Sequence, residues 1–170
     1  AEFGELDTIG TVRFVAEQMA DIVIERSGAR GLIQRLVDAL PGTADDETSL
    51  LDRNLQISLL AWREKHVLEG VARRLRKGLE NGDDPFEVFN ACQDHLLLAA
   101  RAHIDARVLE AFDAVITKVE DPAVAALLNR VCDLHALSTI ERDRAWFLEH
   151  NRLTPTRSKA VTSAVNELCH

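Results

Sequence analysis

Apolar residues recur along this chain at steps of three and four, the spacing of one helix face, and almost nowhere at steps of two. The longest unbroken run lies between Asp84 and Val119, where Phe86, Phe89, Leu96, Leu97, Ala100, His103, Ile104, Val108, Ala111, Phe112, Val115 and Val119 fall on one face. Pro85 directly follows Asp84, so a carboxylate stands ready to cap the first amides and proline occupies the first helical position. About 35 residues at ~1.5 Å each predict a continuous rod of roughly 50 Å. Such a rod is unstable alone in water and must lie against other helices.

The remaining periodic runs supply those companions. Leu6 to about Arg26 carries Ile9, Val12, Val15, Met19, Ile22 and Val23, and a second run carries Leu32, Ile33, Leu36, Val37 and Leu40 to Pro41. A long helix is predicted from about Thr48 to Glu80, with Leu51, Leu55, Leu59, Trp62, Leu68, Val71, Leu75 and Leu79 inward. Arg63, Lys65, Arg73, Arg74, Arg76 and Lys77 are expected on its far face, where cations near a C-terminus suit the macrodipole. Asn81 and Gly82 read as its C-cap. Asp121 and Pro122 open a third long helix to about residue 149, with Ser138–Arg144 as a solvent-facing or partner-facing stretch. Thr154 and Pro155 open the last helix. The four prolines stand where helices begin or have ended, never inside a periodic run. Short connections place neighbours antiparallel, so the expected fold is all-α: one up-and-down bundle over residues 1–170.

Composition narrows the partners. A chain of 170 residues, 46% hydrophobic and 28% charged, suits one soluble globular domain. A net charge of −8 without a basic stripe argues against nucleic acid, and no membrane association is expected. Cys92, Cys132 and Cys169 are an odd number within helical patterns, which reads as reduced thiols in the cytoplasm. No glycine-rich phosphate loop and no serine elbow appears.

Candidate chemistry is sparse. Cys92/His95 and Cys132/His135 are Cys-x-x-His pairs, and two facing helices bearing them would offer zinc four ligands. Buried free cysteine behaves as a small hydrophobe, and that reading is preferred, with no metal expected. His103, flanked by Arg101, Asp105 and Arg107, is placed on the packed face as a hydrogen-bonded core residue rather than a base. Asp133 and Asp143 would act as bases only if burial raised their pKa values. No catalytic residue is assigned, and no cofactor-binding residue either.

Three phrases then carry a resemblance: FGELDTIGTVRFVAEQ near the start, DDPFEVFNACQDHLLLAARAHIDARVLEAF in the middle, and LLNRVCDLHALSTIERDRAWFLEHNRLTP near the end. They resemble, in order, the C-terminal helical domain of the flavin-dependent acyl-CoA oxidases, in particular bacterial ones. The resemblance implies a piece of a larger multidomain enzyme that binds FAD and oxidises acyl-CoA to trans-2-enoyl-CoA with formation of hydrogen peroxide, in fatty acid β-oxidation. It implies no flavin in the isolated segment, a homodimer, and a structural, cavity-closing role against the preceding catalytic domains. Ala102 with His103 is similar to an Ala-His step on the corresponding family helix, with packing and catalysis both open. Phe14, Phe86, Trp146 and Phe147 are the candidate docking residues. The chain stops about a turn past Val165 with Leu168, Cys169 and His170, which reads as a cut, and a peroxisomal tripeptide is missing there; a bacterial cytoplasm is the expectation. The rival expectation is a non-enzymatic helical interaction or scaffold module.

Overall fold

The structure is a computed structural model that describes Gly10 and residues 48–170. The expected helices before Pro41, and Phe14 with them, lie outside the described residues. Six helices follow: α1 (Arg53–Glu80), α2 (Pro85–Ala91), α3 (Gln93–Ile116), α4 (Pro122–Arg142), α5 (Arg144–Glu149) and α6 (Pro155–Leu168). No strand occurs among the described residues. The all-helical class expected from the spacing of apolar residues is therefore the observed one.

Helix boundaries follow local chemistry. Asp84 Oδ1 accepts from the amides of Phe86 (3.0 Å) and Glu87 (3.1 Å). Asp121 Oδ1 takes Ala123 at 2.8 Å, and Thr154 Oγ1 takes Arg157 at 3.2 Å. Each cap precedes a proline at the first position. α1 ends in a Schellman motif, in which Asp83 N–H donates to Gly78 O, Gly82 N–H donates to Leu79 O, and Gly82 takes φ 81°. α1 begins five residues later than expected, because Asp52 is its cap and accepts from Leu55 N–H at 2.9 Å.

Two expected rods are broken. The run from Asp84 to Val119 divides at Cys92, whose φ of −104° and ψ of 4° leave the helical region. There the Cys92 amide donates three residues back to Phe89 O (3.0 Å), and regular bonding resumes with Leu96 N–H to Cys92 O (2.9 Å). The run from Asp121 to residue 149 divides likewise at Asp143, with φ −104° and ψ 19°. Asp143 does not cap α5; its carboxylate accepts from Arg142 at 3.1 Å.

The described residues fall into two compact units, one of residues 63–102 and one of residues 48–62 with 103–170. In the first, Val67, Val71, Leu75, Val88, Cys92 and Ala99 are buried. Arg63 and Glu64 are buried too, against the expectation that Arg63 faces outward. The reason is periodic: residues 63 and 64 fall between Leu60 and Val67 on the inward stripe. Arg73, Arg74, Arg76 and Lys77 are exposed as expected. Gly78 passes so close to Val88 that an added Cβ would meet Val88 Cγ1 at 2.6 Å. Gly78→Ala therefore gains about 1 kcal/mol of helix propensity but meets about 1–3 kcal/mol of overpacking. Urea titration is expected to show a net loss, largely relieved when Val88→Ala is added.

The second unit holds Leu59, Leu60, Ala106, Leu109, Cys132, Ala136, Leu137, Ile140, Phe147, Leu153 and Val161 in one core. Its helices alternate in direction. Asp105 meets Arg142 and Phe112 meets His135, so α3 and α4 are antiparallel. Arg130 bonds the Leu168 carbonyl and Thr162 bonds Glu141, so α4 and α6 are antiparallel as well. α3 turns a different face inward from the one expected: Ala102, Asp105, Ala106 and Leu109 are buried, whereas Ile104 is 59% exposed. Leu97, farther up the same helix, is 71% exposed.

Candidate functional site

The polar and aromatic groups of the second unit form three arrangements, each built on a helix end. At the start of α1, Gln56 is fully buried. Its Nε2 donates to Leu50 O and Asp133 Oδ1, both at 3.0 Å, and its Oε1 accepts from Arg53 Nη1 at 2.6 Å. Arg53 Nη2 also lies 3.0 Å from Asp133 Oδ1, with Asp113 at 3.8 Å on the other side. One carboxylate on α4 thus fixes two polar side chains of the first turn of α1, Arg53 and Gln56.

At the other end of α4, Arg142 Nη2 lies 2.5 Å from Asp105 Oδ2 and 3.1 Å from Asp143 Oδ2. Burial lowers the Arg142 pKa, yet the two carboxylates outweigh it and hold the guanidinium above its ordinary value. His135 places Nε2 3.3 Å from the Asp105 carbonyl oxygen, with its ring tilted beside Phe112.

The third arrangement surrounds the turn after α5. Asn151 takes φ 54°; its amide donates to Leu148 O and the Arg152 amide to Phe147 O, a second Schellman motif with asparagine in the glycine position. That turn carries the Arg152 guanidinium over the Trp62 ring at 4.1 Å. Trp62 and Trp146 pack with centroids 5.3 Å apart, His150 stacks on Trp146 at 4.2 Å, and His150 Nδ1 sits 2.8 Å from the Trp146 carbonyl oxygen. Trp146 meets Phe147 edge-on.

The residues singled out in the sequence are spread over these arrangements. Cys132 is in the core and His135 is held at a backbone carbonyl, so the pair serves two different contacts. Cys92 is buried at the break between α2 and α3. Among the described residues no group of three or more His, Cys, Asp or Glu is arranged to hold a metal. His103 is half-buried and Ala102 buried; Asp105, beside them, is engaged with Arg142. Asp133 and Asp143 each accept from a guanidinium. Phe86 is exposed, as a docking residue requires, but Phe147 is wholly buried and Trp146 half-buried in the aromatic cluster.

Burial pushes the Cys132 thiol above its ordinary pKa, with Arg53 pulling the other way and Asp133 and Asp113 adding to the rise. The folded protein therefore keeps a proton that the unfolded chain releases. This contribution to stability is full below the ordinary thiol value and is lost as pH rises through the raised one. Iodoacetamide is expected to label exposed Cys169 in the native protein, and Cys132 and Cys92 only after denaturation. Rapid labelling of Cys132 in the folded state would contradict the burial.

In these arrangements Arg53, Asp133, Arg142, Asp105 and the Trp62–Trp146–His150 cluster are engaged with one another. The sequence profile of the acyl-CoA oxidase family matches residues 52–170, and the chain belongs to that family. It is 31% identical over 117 residues to the peroxisomal acyl-coenzyme A oxidase 2 of Arabidopsis thaliana, covering 69% of this chain and 17% of that protein. It is 30% identical over 99 residues to the acyl-coenzyme A oxidase-like protein of Mus musculus, covering 58% of this chain and 16% of that one. The crystal structure of acyl-CoA oxidase 3 from Yarrowia lipolytica superposes on 98% of this chain with a TM-score of 0.75 at 17% identity, over 25% of its own length. The chain thus spans a small part of the proteins it matches.

Proposed function

We propose that this chain is the C-terminal helical domain of an FAD-dependent acyl-CoA oxidase, the enzyme that converts acyl-CoA and O2 to trans-2-enoyl-CoA and hydrogen peroxide in fatty acid β-oxidation. The match of the family profile to residues 52–170 carries the reading. The domain acts by packing: it closes the acyl-CoA cavity against the catalytic domains and supports a homodimer.

Arg53 is held by Asp133, and Arg142 by Asp105 with Asp143. The half-buried tryptophans pack against each other, His150 and Arg152. On this reading the flavin and the base that abstracts the α-proton belong to the rest of the polypeptide. The three free thiols fit a reducing compartment, and the cytoplasm is the proposed location.

The test is direct. The purified 170-residue protein is expected to be colourless and to form no peroxide from palmitoyl-CoA, whereas the full product of its gene is yellow and forms it. Flavin and activity in the 170-residue protein would overturn the division of labour. A full-length product without flavin would overturn the oxidase reading.

A further inference from the structure

The first half of α4 is apolar and, among the described residues, uncovered. Residues 122–131 read PAVAALLNRV, and none of them is buried; Leu127 is 62% exposed, with Val124 and Val131 on the same face. A helix that is apolar around most of its circumference is normally an interior one. This half-helix is nevertheless firmly held. Asp121 caps it, Asn129 Nδ2 bonds Ala125 O at 3.0 Å, and Arg130 donates to the carbonyls of Leu168 (3.0 Å) and Glu167 (3.1 Å) at the end of α6. The neighbouring α3 repeats the feature: Ile104 and Val115 are exposed on the side opposite buried Ala106 and Leu109.

By length and composition α4 would suffice to cross a membrane. Its second half is committed elsewhere, since Cys132, Ala136, Leu137 and Ile140 lie in the core. The uncovered half is too short to span about 30 Å of hydrocarbon. A chain of net charge −8 is also repelled by anionic lipid. The remaining source of an apolar cover is protein. The Yarrowia lipolytica acyl-CoA oxidase 3 chain continues for three quarters of its length outside the part that superposes on this fold.

We infer that the Val124, Leu127 and Val131 face of α4 is a preformed docking surface for an apolar surface of the remaining polypeptide of the same enzyme. The inference rests on the accessory-domain reading above and names the face through which that domain is seated. Because the half-helix is already capped and clamped, docking orders little new chain.

Hydrogen exchange of residues 122–131 in the 170-residue protein and in the full-length product tests this. Exchange is expected to slow about tenfold or more in the longer protein, while residues 132–140 change little. Leu127→Glu is expected to erase that difference without altering the urea midpoint of the 170-residue protein. Equal exchange in a flavin-bearing full-length product overturns the inference and leaves the oxidase reading intact. Protection that instead appears in the 170-residue protein with rising concentration, together with a dimer in sedimentation, assigns the face to a second copy and overturns it. Protection that appears only with phosphatidylglycerol vesicles overturns it as well. A reading frame encoding nothing beyond these residues removes both readings.

Discussion

Phe147→Ala is expected to lower the unfolding free energy by about 3–5 kcal/mol, the usual range for truncating a fully buried aromatic ring. Phe147 has no exposed surface, and it packs between the six-residue helix α5 and the core formed by α1, α3, α4 and α6. Two features push the effect to the upper part of the range. The ring meets Trp146 edge-on at 5.2 Å, an interaction beyond simple area burial. α5 is also enclosed between the break at Asp143 and the left-handed residue Asn151, so little of it can collapse into the space left behind. Urea unfolding followed by far-ultraviolet circular dichroism measures the loss. A change under about 1 kcal/mol would place Phe147 at the surface, where the sequence had put it as a docking residue.

Asp133→Ala is the second large effect, expected at about 2–3 kcal/mol. One carboxylate oxygen receives both Gln56 Nε2 and Arg53 Nη2 at 3.0 Å. Removing it leaves Nε2 of the wholly buried Gln56 with Leu50 O, and leaves Arg53 with Gln56 Oε1 and the more distant Asp113. Removing one partner of the Gln56–Asp133 hydrogen bond is more damaging than replacing both, because the buried amide donor that stays behind loses an acceptor. The double change Asp133→Ala with Gln56→Leu is accordingly expected to be less destabilising than the sum of the two single changes. A strictly additive cycle would show that the two residues do not interact.

The parts of this fold written in local chemistry could be read directly. Asp84, Asp121 and Thr154 each precede a proline and each caps its helix, and Gly82 takes the positive φ that a Schellman turn needs. The breaks at Cys92 and Asp143 could not be read, since neither site has glycine or proline; apolar residues continue across Cys92, and the charged run Glu141–Arg144 around Asp143 reads as a solvent-facing helix surface. The face of α3 was misjudged for a related reason. That helix has apolar residues on two sides, and periodicity alone does not say which side meets the core. Arg63 and Glu64 were hidden by their charge, although their register places them inward. The clamps were invisible because they are long-range: Gln56 and Asp133 are 77 residues apart, and Arg142 and Asp105 are 37 apart. Family membership was legible in phrases spread along the chain, whereas the uncovered half of α4 became evident only once the core was known.

The two tryptophans of the chain lie tilted against one another across the α1–α5 junction, 5.3 Å apart and inclined at 54°. Two indoles so close and so inclined share their electronic excitation, which splits the ultraviolet dichroism into a couplet of opposite signs. The protein therefore carries its own optical gauge: the couplet persists while α5 is seated and collapses when that short helix lifts away, without any added dye.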